Sequence, residues 1–179
     1  MTPSIDLLLD TLERALAVAI LPSVGDASAK EEAALGVVVV RWLRGVVDDA
    51  SAAERASQRD CRAALEEVAR LLAAAAARGP AAAALLEEAR AALAQPTPAG
   101  VGAVREAARQ AKRLLCGALR AARSDGDGTG AVAIRARLAA LAAREIAREL
   151  AFGRPSGMDP DAAAVPALAA VLESERSEA

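Results

Sequence analysis

At 179 residues the chain has the length of one domain with a single core. More than a quarter of the residues are alanine, and there is one Phe, one Trp and no Tyr. Because alanine is the best helix former and aromatic residues are enriched in strands, this composition predicts an all-α protein. The formal net charge of −2 excludes the basic excess of a typical nucleic-acid-binding domain and the charge imbalance of a disordered acidic chain.

The first predicted helix covers residues 2–21, with Pro3 in its first turn and Pro22 at its end. A second helix follows Ser28, which forms a capping box with Glu31. Apolar residues surround most of this second helix, and we therefore expect it to be the buried centre of the fold.

Three residues carry that expectation of a central second helix. Trp42 is predicted to be largely buried, and Val38 and Leu43 are predicted to lie in the core. Truncation of either aliphatic side chain would then destabilise the protein.

Further helices are predicted over residues 51–78, 80–95, 101–124 and from about 130 to 152, separated by Gly- and Pro-containing turns. On residues 51–78, one face carries the apolar side chains of Cys61, Leu65, Val68 and Leu72, while Arg and Glu occupy the other. Because alanine lets helix axes approach closely, the expected fold is a compact antiparallel bundle of about six to seven helices with an Ala-rich core.

The C-terminal part is predicted to be organised differently. Residues 1–152 are expected to form the bundle domain, and residues 153–179 a hinge followed by a short acidic helix at about 161–173. Pro155, Gly157 and Pro160 interrupt helical hydrogen bonding, so we expect a mobile hinge with the last helix docked weakly or not at all.

The pattern of apolar residues also bears on localisation. The longest candidate for a membrane span, residues 33–40, is far shorter than a bilayer requires and meets Arg41. Asp6, Asp10 and Glu13 replace the basic start of a secretion signal, and two cysteines fit a reducing compartment. We therefore expect a cytoplasmic protein with no membrane partner.

The chain lacks most residue patterns that indicate an enzyme, a cofactor site or a metal site. It has no His, which removes the commonest general base and the Ser-His and Cys-His nucleophile pairs. The loop at residues 125–130 resembles the first half of a calcium loop, but the position of the bidentate Glu is taken by Ala136. We predict no cofactor and no metal, and the loop is predicted to be a helix connector.

Basic residues are concentrated in residues 101–150, which hold 10 Lys or Arg against 5 Asp or Glu. At about 100° per residue, six of these cations and one thiol fall within one sector of the helix predicted at 101–124. We call this sector the basic ridge; it consists of Arg105, Arg109, Lys112, Arg113, Cys116, Arg120 and Arg123.

The basic ridge has two interpretations: a solvated helix face, or a binding surface for an acidic partner. Nucleic acid is not expected, because no aromatic residues alternate with the arginines. In a self-associating protein, the ridge could meet the acidic residues Asp6, Asp10 and Glu13 of another subunit. Cys116, flanked by cations, is either an incidental exposed thiol or a reactive one.

The segment IDLLLDTLERALAVAILPSV, followed by the capping box and an apolar helix, resembles the start of small uncharacterised helical proteins found alongside aminoglycoside-phosphotransferase-like kinases. The resemblance covers about the first 45 residues and rests on Leu8, Leu12, Leu16, Leu21 and Pro22. No activity is assigned in that family, so the resemblance implies an accessory role.

These observations lead to one functional prediction and two alternatives. The prediction is a non-enzymatic helical bundle that acts as an interaction or accessory protein, by self-association or by docking on a partner protein. The first alternative is the binding of a small apolar ligand in a cavity between helices. The second is an enzyme with Cys116 as its nucleophile.

Overall fold

The structure, a computed structural model, describes residues 5–76, 79–124, 129–156 and 161–177, and in these ranges it contains helices and turns but no strand. Helix α1 (Ile5–Arg14) is continued by a π-helical segment (Ala15–Ile20) and one α-helical turn (Leu21–Ser23). The longer helices are α2 (Ala27–Ala76), α3 (Pro80–Ala94), α4 (Val101–Ser124) and α5 (Thr129–Gly153). A 3₁₀ turn (Arg154–Ser156) follows α5, and the last helix is α6 (Leu168–Ser177).

The fold is an all-α helical bundle, as the composition predicts. Eleven of the 27 buried hydrophobic residues in the described ranges are alanine, so the Ala-rich core is confirmed. The predicted helices at 80–95, 101–124 and 130–152 correspond closely to α3, α4 and α5. Among the described helices, none combines the length and the apolar character that crossing a membrane requires.

Helix α2 differs from its prediction because it joins two predicted helices into one of 50 residues. The predicted break at Ser51 is wrong, since Asp and Ser cost a helix interior only a few tenths of a kcal/mol, about 0.7 at most, whereas Gly and Pro cost more. The N-cap also lies two residues earlier than predicted, because the Ala29 amide donates to Asp26 Oδ1 at 2.9 Å. Asp26, rather than Ser28, therefore caps the helix.

Contacts group the chain into two compact units, with unit 1 formed by residues 1–51 and 148–179 and unit 2 by residues 52–147. This division differs from the predicted boundary at residue 152, because the C-terminal segment groups with the N-terminal helices. The loop predicted at 125–130 lies mostly outside the described residues, as do residues 157–160 of the predicted hinge.

The main core lies in unit 2. Cys61, Leu65, Val68 and Leu72, the predicted apolar face of residues 51–78, are each no more than 2% exposed. They pack with buried residues of α3, α4 and α5, among them Leu115. The core is therefore built on the second half of α2.

The first part of α2 is less buried than predicted. Leu35, Val39 and Leu43 are 55%, 47% and 37% exposed, and Trp42 is only half-buried. The expectation that the second predicted helix forms the buried centre is therefore wrong. The exposed side of this segment is itself apolar, so the hydropathy pattern did not distinguish it from the buried side.

Trp42 packs against the C-terminal part of unit 1. Its ring meets that of Phe152 edge-on with centroids 5.2 Å apart, and Nε1 donates to the Phe152 carbonyl at 2.8 Å. A Cβ on Gly45, one turn further on, would stand 2.7 Å from Pro155 Cβ. Glycine at position 45 therefore permits the close approach of the segment that follows α5.

Helix α6 is docked, which corrects the prediction of a weakly attached last helix. Its residues Leu168, Val171 and Leu172 are buried. Arg148, itself buried, pairs with Glu175 at 2.9 Å. The helix also begins seven residues later than predicted, at Leu168, because residues 161–164 form a turn.

Candidate functional site

The basic ridge faces solvent on α4. The opposite side of the helix carries the buried row of Val104, Ala108, Leu115 and Ala118. Every ridge residue is exposed except Lys112, which is half-buried. The structure thus brings the seven predicted site residues together on one face.

Most of the ridge cations already have acidic partners within unit 2. Arg105 pairs with Glu54 of α2 at 2.6 Å, and this carboxylate raises the pKa of the guanidinium. Lys112 pairs with Glu145 of α5 at 2.6 Å. Arg109 and Arg113 lie 3.6 and 3.1 Å from the carboxylate of Glu106 on the same helix.

These ion pairs weaken the ridge as a binding surface, because four of its six cations are partly neutralised before any partner arrives. Of these three acidic partners, only Glu106 is close to the ridge residues in sequence. Glu54 and Glu145 lie on other helices, so sequence spacing gave no signal for them.

The predicted acidic counterpart is also occupied. The Glu13 carboxylate accepts hydrogen bonds from Arg41 at 2.8 Å and Arg44 at 2.6 Å. These two guanidiniums hold the pKa of the Glu13 carboxyl below its ordinary value. Asp10 lies 3.1 Å from Arg14 and 3.6 Å from Arg44, all inside unit 1. Asp10 and Glu13 are therefore already paired within the chain, while the side chain of Asp6, the third residue of the predicted acidic face, lies outside the part that the structure describes.

The two cysteines differ in environment, and both thiols are free. Cys116 is exposed on the ridge, whereas Cys61 is 0% exposed in the core of unit 2. Burial raises the pKa of the Cys61 thiol to about 11. Nearby, the Ser57 hydroxyl donates to Glu145 Oε1 at 2.9 Å, so the adjacent polar groups are paired with one another.

Thiol labelling is expected to separate the two cysteines. In the folded protein at pH 7.5, Cys116 should react with iodoacetamide at least about a hundredfold faster than Cys61, because Cys61 is buried and forms little thiolate at this pH. Mass spectrometry of each cysteine peptide against time measures both rates. In the Cys116→Ser variant, labelling should wait for denaturant; equal, slow labelling of both thiols in the wild type would contradict an exposed Cys116.

Two hollows in unit 2 bear on the ligand alternative. The larger, about 540 Å³, is an open groove between α2 and α5, lined in part by Leu71 and Ala136 and by the charged residues Glu67, Arg70 and Arg137. Glu67 and Arg137 form an ion pair across it. The other hollow, about 50 Å³, is too small for a drug-sized molecule. Among the described residues, no three His, Cys, Asp or Glu side chains group as a metal site would.

Exposed apolar side chains are concentrated in unit 1. Of the fourteen large hydrophobic residues that are exposed in the described ranges, ten belong to this unit. From residue 5 to residue 23, no side chain that the structure describes is buried. An amphipathic helix normally buries its apolar face, so the N-terminal helix leaves that face largely uncovered.

Helix α1 runs antiparallel to the start of α2, forming a helical hairpin. Leu16 Cδ1 stands 3.5 Å from where a Cβ on Gly36 would be, and Glu13 and Asp10 reach on to Arg41 and Arg44. Earlier residues of α1 therefore contact later residues of α2, as in an antiparallel pair. The ion pairs close one flank of the hairpin.

The other flank of the hairpin is apolar. At about 100° per residue, Leu8 and Leu12 lie on the side of α1 away from Asp10, and three residues of α2 lie on the side away from Arg44. Because the ion pairs of Glu13 with Arg41 and of Asp10 with Arg44 join the helices along one flank, we infer that both sides lie toward the opposite flank. We call the resulting surface the hairpin face; its members are Leu8, Leu12, Leu35, Val39 and Leu43, which are 37–55% exposed.

The hairpin face has no sequence signal of its own, because the apolar spacing of α1 and α2 equally predicts a face that lies in the core. The fold and its surfaces define an all-α helical bundle with an exposed apolar flank and a neutralised basic ridge. Comparison of the chain with family models, with curated proteins and with solved structures gives no match. The N-terminal resemblance therefore stays a prediction.

Proposed function

We propose that this chain is a non-enzymatic interaction or accessory protein that acts by self-association or by docking on a partner protein. The observation that carries the proposal is the hairpin face: five aliphatic side chains, about half exposed, on the flank opposite the ion pairs of Glu13 with Arg41 and Arg44. The largest contiguous apolar patch on a monomeric protein is often a binding site. The accessory role implied by the N-terminal resemblance agrees with this proposal.

Two further elements of the proposal have indirect support. The free thiols of Cys61 and Cys116 fit a cytoplasmic setting. The docking surface we propose is the hairpin face in place of the basic ridge, because the cations of the ridge are largely paired within the chain. The alternative of a small apolar ligand has less support, since the larger hollow is an open groove with charged walls.

Site-specific photo-crosslinking in cells tests the proposal. A benzophenone amino acid in place of Leu35 should crosslink to protein, because this side chain projects from the hairpin face. The matched control is the same substitution at Ala34, which is exposed on the adjacent side of the helix. Adducts at position 35 that exceed those at position 34 by about tenfold or more are expected; no adduct at either position would refute the proposal.

A further inference from the structure

The hairpin face has the size of half an interface. Five side chains that are about half exposed present roughly 450 Å² of apolar surface, which is in the middle of the range for the largest apolar patch on a monomer, a patch that is often functional. Two such faces would cover roughly 900 Å² between them, and the polar rim adds to this. The total reaches the roughly 1,000 Å² that a specific protein–protein interface needs.

We propose that the hairpin face binds a second copy of this chain, so that two hairpins pack against each other across a two-fold axis. The inference rests on the proposed function and names its partner. In such an isologous dimer each copy uses the same patch, so every contact occurs twice.

The spacing of the apolar residues favours a second copy. Leu35, Val39 and Leu43 follow one another at intervals of four on α2, and Leu8 and Leu12 do the same on α1. Rows at this interval form ridges that interdigitate with identical rows on a facing helix, which is the commonest mode of helix packing in globular proteins. Each helix of the hairpin thus carries a row of apolar side chains that matches the same row of a second copy.

The charges around the hairpin argue against other partners. Glu13, Arg41 and Arg44 are paired with one another on the far flank, and the exposed carboxylates nearest the face, Glu31 and Glu32, lie at the start of α2 beyond Leu35. The polar side of α1 carries Asp10 and Glu13, whereas helices that lie on anionic membranes carry Lys and Arg there. The five members of the hairpin face are all aliphatic, so the face itself is apolar and matches the same face of a second copy.

Sedimentation velocity on the purified full chain tests the inference. At tens of micromolar the wild type should sediment with a mass of about twice 18.1 kDa and dissociate on dilution. The double variant Leu12→Glu with Val39→Glu should weaken self-association by at least about a hundredfold, because two charges enter the apolar interface from each copy. Glutamate is a good helix former and both positions are exposed in the single chain, so helicity by circular dichroism should not change.

The matched control is Val132→Glu on α5. Val132 is 64% exposed, more than any residue of the hairpin face, but it belongs to unit 2. This variant should keep the mass and the dissociation constant of the wild type. A dimer that Val132→Glu disrupts, or that survives the double variant, would overturn the assignment of the interface.

Failure of this inference and failure of the proposed function have different signatures. If the wild type is monomeric at about 100 µM while photo-crosslinks at position 35 capture a different protein, the second copy is refuted and the interaction function stands. If the wild type is monomeric and position 35 gives no crosslink in cells, both are refuted. A hairpin variant that loses its helicity is replaced by Leu12→Gln with Leu35→Gln, for which the same loss of mass is expected.

Discussion

Replacing Leu65 by Ala is expected to lower the free energy of unfolding by about 2–5 kcal/mol, the range for truncating a buried leucine. Leu65 is 2% exposed and packs within the core of unit 2, so its loss leaves a cavity lined by α2 and its neighbours. Buried side chains of α2, α3, α4 and α5 pack together in this core, which limits how far they can close the gap. Urea unfolding followed by far-ultraviolet circular dichroism measures the change.

Leu71→Ala is the matched control, in the same helix and the same unit. Leu71 is 37% exposed, and its truncation should cost less than that of Leu65, about 1–1.5 kcal/mol, since part of the lost surface already faces water. Equal costs for the two variants would contradict the placement of the core on the second half of α2.

Removing the Glu175 carboxylate is expected to be the second large effect, at about 3 kcal/mol for Glu175→Ala. The Arg148 side chain is 6% exposed and that of Glu175 14%, and they lie 2.9 Å apart. Without Glu175, Arg148 loses a carboxylate that is paired with it at a buried position, which costs more than losing an exposed ion pair. Thermal and urea unfolding of the variant would show the loss.

Two further variants separate the ion pair from helix docking in general. Glu173→Ala, an exposed position on the same helix, should change stability by less than about 0.5 kcal/mol. The double variant Arg148→Met with Glu175→Leu should recover most of the loss, because an apolar pair can replace a buried ion pair. A Glu175→Ala protein as stable as the wild type would mean that α6 is not held by this contact.

Local sequence signals located the helices where strong breakers stand between them. Pro80 stands at the start of α3, and the turn residues between Gln95 and Val101 separate α3 from α4. Asp and Ser near residue 50 misled the prediction, since they disfavour a helix too weakly to end one that packing stabilises. The π-helical segment after α1 had no signal of its own in the sequence.

The candidate site depended on contacts between segments far apart in the chain. The basic ridge was predicted because it follows from one helix and its periodicity, and its solvent-facing position agrees. Its neutralisation by Glu54 and Glu145 required the packing of α2 and α5 against α4. The exposure of the hairpin face likewise depends on a contact between α1 and α2. The pairing of Glu13 with Arg41 and Arg44 places these charges on one flank and leaves the apolar residues on the other.

Composition and periodicity by themselves determined that the chain is all-α, that its core is rich in alanine, and that Cys61, Leu65, Val68 and Leu72 share a buried face. These properties are local, because helix propensity and the 3.6-residue repeat act within a few turns. The tertiary structure decided which of several apolar faces is buried. Every amphipathic helix offers such a face, and only its neighbours in space determine whether that face meets the core, as in unit 2, or is left open, as on the hairpin of unit 1.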